Sequence, residues 1–397
     1  MEIKNKVVNK IDCLIVFFIY LFSFSIFISN ALINFSAIIT ILLVLFKLLL
    51  NKGKLNYNYY GFLLPMGLFT LSIFLSGINH WNNEILSNKF TFSFIFFFIL
   101  INEIKEKGQI RKILYLLTTS AFIASIYGLY QYFYLDYSRI KSFSFSLTFG
   151  NLIAVMVIFF TIYIIWGEFS KKTKFLLLFL DILFFVNLIL TKSRGAWLGF
   201  IVGLVILGFI KSKKFMIVSL IIIILLFSVL PSHYVERFKS SFDISYDLEN
   251  NRSNTYRIAM WITSLKILKD YSVFGLGYYN YRTPLSEPYK LDIIKPKEGF
   301  IHVHNTYLQI AAEQGLFGLF TFLYLLYFIF KRIYNYYNNK KRGNIKLFYL
   351  GSLISIILYL VQGLTQYNFG KTEPLSLFWL IIGISFLVSS YNLNLND

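Results

Sequence analysis

Apolar runs long enough to cross a bilayer recur along almost the whole chain, and they constrain it more than any other feature. They lie near residues 11–29, 32–48, 61–79, 86–103, 113–133, 146–166, 175–191, 195–210, 215–231, 305–330, 347–367 and 375–393, about twelve spans in all. In hydrocarbon every backbone polar group must be satisfied within the protein, so such a chain folds as a bundle of membrane helices. The expected class is all-α: a polytopic membrane protein with residues 1–397 as a single integral-membrane domain. Only 14% of the residues are charged, against roughly 25% in soluble domains. That excludes a soluble enzyme, a nucleic-acid-binding domain and a disordered tail. No small-residue cleavage site follows the first run, which reads as a retained helix rather than a signal peptide. The single Cys13 lies inside that run, which excludes disulfides and thiolate metal clusters.

The net charge is +19, and its distribution matters more than its size. With both termini on the cytoplasmic side, 22 of the 38 basic residues fall on inside segments and six on short outside loops. This is the asymmetry that orients membrane proteins. The remaining ten lie in one long outside segment, 232–304, which translocates regardless of charge. Outward cations need another reason. One is pairing with Asp243, Asp247, Glu249, Asp270, Glu287, Asp292 and Glu298 of the same loop, which accounts for most of its lysines. The other is an anionic ligand, to which a few arginines are assigned.

Three constellations could carry chemistry on the outer side. Thr191-Lys192-Ser193-Arg194-Gly195-Ala196-Trp197-Leu198-Gly199 falls at a hairpin between two spans. Its glycines permit close backbone approach, and Arg194 can either snorkel to lipid head groups or clamp a diphosphate bidentately, with Lys192 beside it. From Thr255 to Lys269, apolar residues Ile258, Trp261, Ile262, Leu265 and Leu268 recur at helical spacing, which predicts an amphipathic helix on the outer leaflet. Arg257 and Trp261 share a face of it, as an interfacial anchor or as a site over a lipid-linked substrate. Phe274-Gly275-Leu276-Gly277 then predicts a flexible turn. His302-Val303-His304-Asn305 stands just before the tenth span. A His-x-His pair can bind a metal, but no carboxylate or Cys at ligand spacing completes a site. A histidine at the mouth of a bundle can instead act as a general base.

Together these residues resemble one family. His304-Asn305, nine residues, then Gly315-Leu316-Phe317-Gly318 is similar to the H-[NSQ]-x9-G-x-x-[GTY] signature of O-antigen ligases and Wzy-type polymerases. Ser193 to Leu198 resembles the arginine-containing hairpin of that family, and Arg257, Trp261, Gly275 and Gly277 resemble its long periplasmic loop. The resemblance covers residues 185–320, taken as a ligase/polymerase-like core that contains the loop 232–304. It implies a C-type glycosyltransferase-like fold in a bacterial inner membrane, with the active site facing the periplasm. The implied donor is an undecaprenyl-diphosphate-linked glycan, and the implied acceptor is lipid A–core or a second lipid-linked glycan. It implies neither cofactor nor metal. By this resemblance Arg194 and Arg257 hold the diphosphate, with Lys192 assisting, and His304 takes the acceptor proton in an inverting displacement. Asn305, His302 and Trp261 are expected to bind or orient substrate.

A ligase is the first reading and a polymerase the second. Relatives that glycosylate protein would need an acceptor site not recognisable in this sequence. A lipid-glycan flippase or transporter should carry cations in a cavity open to both faces, whereas here charge is nearly absent mid-span. No internal repeat supports a transporter built of inverted repeats. A structural scaffold leaves the His304-to-Gly318 spacing unexplained.

Overall fold

A computed structural model describes residues 2–51, 60–229, 231–239, 252–292, 302–340 and 343–390. The described residues form helices and connections, with no strand among them. In chain order these are α1 (Glu2–Ser25), α2 (Asn30–Asn51), α3 (Leu63–Ser76), α4 (Lys89–Glu103), α5 (Lys107–Phe133), α6 (Ser146–Trp166) and α7 (Lys171–Leu190). There follow α8 (Arg194–Lys211), α9 (Lys213–Val229), α10 (Ser232–Lys239), α11 (Arg252–Asp270), α12 (Thr306–Asn339), α13 (Asn344–Gly363) and α14 (Thr372–Ser390). Ten helices among the described residues are long and apolar enough to cross a membrane, against the dozen expected. The difference lies in α3, with 14 residues, and α9, with 17, which coincide with predicted spans but are short for a full crossing.

Helices α6, α13 and α14 are buried along most of their length and form the centre, while α1, α2 and α7 lie outside them. The peripheral helices turn Leu, Ile and Phe side chains outward, as lipid contact requires. Helix α8 approaches α13 through a stripe of glycines. A Cβ on Gly199 would stand 3.0 Å from Gln362 Cγ, and one on Gly203 would stand 3.2 Å from Ile354 Cγ2. The phenylalanine-rich α4 is anchored by edge-on ring contacts, Phe90 with Phe69 at 4.9 Å and Phe94 with Trp379 at 5.1 Å.

Helix α12 is broken at Gly315, whose φ of 68° and ψ of −169° leave the helical region. The freed backbone groups are met by the chain just after α11. Leu316 N donates to Ser272 O at 2.8 Å, Leu276 N to Ala312 O at 2.9 Å and Gly277 N to Glu313 O at 3.0 Å. The fit requires glycines: a Cβ on Gly275 would lie 2.4 Å from Gln314 N, and one on Gly315 would lie 2.2 Å from Val273 O. The Phe274–Gly277 segment is thus a docked strut and not the flexible turn expected. Asn79 Nδ2, donating to Gly275 O at 2.7 Å, fastens it from the α3 side.

At this end of the bundle a second small core gathers Ala259, Met260, Ile267, Leu276, Tyr281, Val303 and Ala312 beneath α11. The predicted amphipathic helix is α11, and the face it buries carries Thr255, Ala259, Met260, Thr263, Ser264 and Ile267. Ile262 and Leu265 of the predicted apolar stripe stay exposed. At the opposite end Lys47 Nζ joins three helices, contacting Asp12 Oδ1 at 2.6 Å and Glu103 Oε2 at 2.7 Å. Of the acidic partners expected for the outer cations, Glu287 pairs with Lys290. Asp243, Asp247, Glu249 and Glu298 lie outside the described residues.

Candidate functional site

The turn from α7 into α8 builds one wall of the site. Thr191 caps α7, Lys192 adopts a left-handed φ of 49°, and Ser193 precedes the first residue of α8, Arg194. Such a φ is uncommon for a side chain with a Cβ and is held here by the surroundings. A Cβ on Gly150 of α6 would meet Thr191 Oγ1 and Ser193 Cβ at 2.9 Å each, so glycine there admits the turn. A helix C-terminus leaves carbonyls unpaired and carries partial negative charge. Two arginines answer both needs: Arg139 Nε donates to Thr191 O at 2.8 Å, and Arg237 Nε donates to Lys192 O at 2.9 Å. Arg194 is only 8% exposed, and its Nη2 donates to Asn254 Oδ1 at 2.9 Å. Lys192 Nζ lies over the Tyr234 ring, 4.8 Å from its centroid.

These groups enclose a cavity of about 200 Å³ lined by Arg139, Leu147, Lys192, Arg194, Arg237, Tyr256, Arg257, Met260 and His304. Five of the nine lining residues are cations, and none is a carboxylate. Arg257 reaches it from α11, and its guanidinium makes no hydrogen bond or ion pair among the described residues. Burial, followed by repulsion from Arg194, Arg237 and Arg139, lowers the Arg257 pKa to about 10. Arg139 is lowered to about 10 by burial and by Arg237 and Arg194. Both remain charged at neutral pH. With no carboxylate among the lining residues, a multiply charged anion is the ligand that this cluster of cations suits.

His304 closes the cavity from the other side. It too is left-handed, at φ 54°, and the next residue, Asn305, is the N-cap of α12. The Asn305 side chain accepts from Tyr307 N at 2.9 Å and Leu308 N at 3.0 Å and donates through Nδ2 to Leu364 O at 3.1 Å. Asn305 therefore sets the His304 backbone by capping α12 and tying it to the chain after α13. Burial, then Arg257, depresses the His304 pKa to about 4, opposed by a side-chain hydrogen bond with Gln366. Its Nδ1 is buried without a hydrogen-bond partner. His302 stands behind it, with 4.1 Å between the ring centroids, and is depressed further by burial, His304, Lys371 and Arg282. Among the described residues, no three His, Cys, Asp or Glu side chains converge as a metal site needs.

Of the seven side chains singled out from the sequence, Lys192, Arg194, Arg257 and His304 meet at this cavity. His302 supports His304, Asn305 is a helix cap, and Trp261 packs against the second core. Arg139 and Arg237 were legible only as outer charges, and Gln366 carried no signal at all. Residues 179–323 match the family model described as O-Antigen ligase.

The chain carries a segment that matches the O-antigen ligase family. Within the match fall Lys192, Arg194, Arg237, Arg257 and His304, whereas Arg139 comes from outside it. An O-antigen ligase of Escherichia coli is 24% identical over 323 residues, which cover 74% of this chain and 75% of that protein. An uncharacterized protein of Haemophilus influenzae is 27% identical over 344 residues, covering 79% of this chain and 82% of its own length. The segment that matches the O-antigen ligase family thus sits in a multi-pass helical membrane protein and supplies most of the cationic cavity.

Proposed function

We propose that this protein moves a glycan from undecaprenyl diphosphate onto a sugar hydroxyl of lipid A–core, at the periplasmic face of a bacterial inner membrane. The observation that carries the reading is the carboxylate-free cavity of five cations with His304 on its wall. Breaking the anomeric C–O bond sends its electron pair onto the diphosphate, whose charge grows in the transition state. Fixed guanidinium groups stabilise that growth without reorganising. Arg257 and Arg194 bind the diphosphate, and Arg139, Arg237 and Lys192 surround it. The acceptor oxygen attacks the anomeric carbon opposite the leaving group, so the centre inverts, and its proton passes to His304 Nδ1.

The depressed pKa of His304 suits this order of events. At neutral pH burial and Arg257 hold the imidazole neutral and able to accept a proton. A bound diphosphate offsets Arg257, one source of the depression, and raises the basicity of His304 when the acceptor arrives. His302 and Asn305 act through His304 as positioning residues. The periplasmic orientation rests on the 22 basic residues of the inside segments.

The test is reconstitution of the full chain with an undecaprenyl-diphosphate glycan, offering lipid A–core and a second lipid-linked repeat as separate acceptors. Transfer to lipid A–core is expected. Transfer to the second repeat alone would make the protein a polymerase, and transfer to neither would reject glycosyl transfer.

A further inference from the structure

A second feature near the outer end belongs to neither the cavity nor its arginines. Helices α2, α4 and α14 leave a groove of about 340 Å³ between them. Phe22, Ile33, Ala37, Phe92 and Trp379 make it apolar, and Lys89 lies at its polar end beside Thr372. Ile38 and Phe92 on its walls are 49% and 43% exposed, so it opens sideways toward the bilayer. Lys89 has no ion pair among the described residues; its Nζ donates to the backbone oxygen of Gly370 at 3.2 Å. Glu84 and Glu373 act on Lys89 electrostatically without forming an ion pair with it; Glu84 accepts from Ser87 Oγ at 3.1 Å and Glu373 bonds Asn30. An ammonium at the end of an apolar slot in the outer leaflet matches an amphiphile with hydrocarbon chains and an anionic head.

The chain between α13 and α14 connects this groove to the candidate site. Leu364 O accepts from Asn305, Gln366 contacts His304, Gly370 O accepts from Lys89, and Lys371 Nζ donates to Thr148 Oγ1 at 3.3 Å. Four residues extend at most about 14 Å, so the Lys89 end of the groove lies within a short oligosaccharide's reach of His304. Groove and cavity share no lining residue. A donor diphosphate in the cavity therefore leaves the groove free for a second lipid.

We propose that this groove seats one acyl chain of the acceptor, a phosphorylated glycolipid, with Lys89 meeting its phosphate and its sugars lying over residues 364–371 toward His304. The assignment rests on the glycosyl-transfer reading, but its test does not need turnover. Binding to the purified full-length protein in detergent is measured by native mass spectrometry for lipid A–core, phosphatidylglycerol and an undecaprenyl-diphosphate glycan. The variants are Lys89→Gln, which removes the cation, and Ala37→Trp, which fills the groove. Each is expected to weaken lipid A–core binding tenfold or more and to leave undecaprenyl-diphosphate binding unchanged. In reconstituted transfer, each is expected to raise the acceptor KM with little change in kcat.

Equal displacement of lipid A–core by phosphatidylglycerol would overturn the assignment, since the groove would then hold any anionic lipid. Loss of undecaprenyl-diphosphate binding in the variants would also overturn it, by making the groove a seat for the donor's tail. So would unchanged lipid A–core binding in Lys89→Gln. Groove-dependent binding in a wild-type protein that transfers nothing would fault the transfer reading alone.

Discussion

The imidazoles of His302 and His304 face each other with 4.1 Å between ring centroids, yet of the two only His304 lines the cationic cavity. The pair therefore divides into a base and its support. His304→Ala, in protein shown to be folded and inserted, should lower kcat for glycan transfer by about 10²–10⁴, the range for loss of a general base. His302→Ala should cost less and shift the pH profile, because its contact with His304 is electrostatic and steric.

The acid limb of that profile has a predictable sign. A histidine base works only when neutral, and burial and Arg257 depress the His304 pKa to about 4. The rate at limiting acceptor and donor, which reports the free protein, should therefore hold at pH 5.5, where an ordinary histidine near 6.5 would be mostly protonated. With the diphosphate bound, the limb of kcat should move to higher pH. An acid limb near 6.5 in the free protein would contradict the burial of His304 beside Arg257.

Arg257 offers a separation of stability from function. Its guanidinium has no partner among the described residues and is repelled by Arg194, Arg237 and Arg139. Arg257→Gln should leave the thermal midpoint unchanged or raise it, while weakening donor binding by about 10- to 100-fold, the worth of a hydrogen bond to a charged group. Arg257→Lys keeps the charge and loses the bidentate fork, so it should also lose most turnover. Calorimetry alongside a donor-binding assay checks both. A destabilised Arg257→Gln with normal donor affinity would make Arg257 an interfacial anchor.

The close passage between α11 and α12 makes a purely structural prediction. Gly275 has φ 73°, and a Cβ there would meet the backbone of Gln314 and Glu313 within 2.5 Å. Gly275→Ala and Gly315→Ala should each cost about 3 kcal/mol or more, from backbone strain plus a clash that no side chain can relieve. Recovery of folded protein after detergent extraction, measured by size-exclusion chromatography, should fall for both and stay normal for Gly67→Ala, where a Cβ meets nothing within 4 Å.

What the sequence made legible was whatever hydropathy and local motifs encode. The spans, the gathering of Arg194, Arg257 and His304 at one end of the bundle, and the helix at α11 all follow from patterns within a few residues. Arg139 and Arg237 did not stand out because no motif surrounds them. They matter through the carbonyls of Thr191 and Lys192, 52 and 45 residues away along the chain. The buried face of α11 was missed for a related reason. Thr255, Ala259, Met260, Thr263, Ser264 and Ile267 seat the helix, while Ile262 and Leu265 of the apolar stripe that periodicity highlights are left outward. The glycines of the 274–277 segment signalled freedom, but their use is to let two backbones touch at the break in α12.

Orientation is open to a direct check, because Cys13 is the one cysteine and can be replaced by Ser. Asp136 is exposed in the connection between α5 and α6, at the same end as Arg139 and the cavity. Lys172 is exposed at the start of α7, whose other end forms the cavity wall. In the Cys13→Ser background, Asp136→Cys should react with a membrane-impermeant maleimide in intact spheroplasts. Lys172→Cys should react only after permeabilisation. The reverse pattern would turn the five cations toward the cytoplasm, away from the proposed acceptor, and would end the periplasmic ligase reading whatever the chemistry of His304.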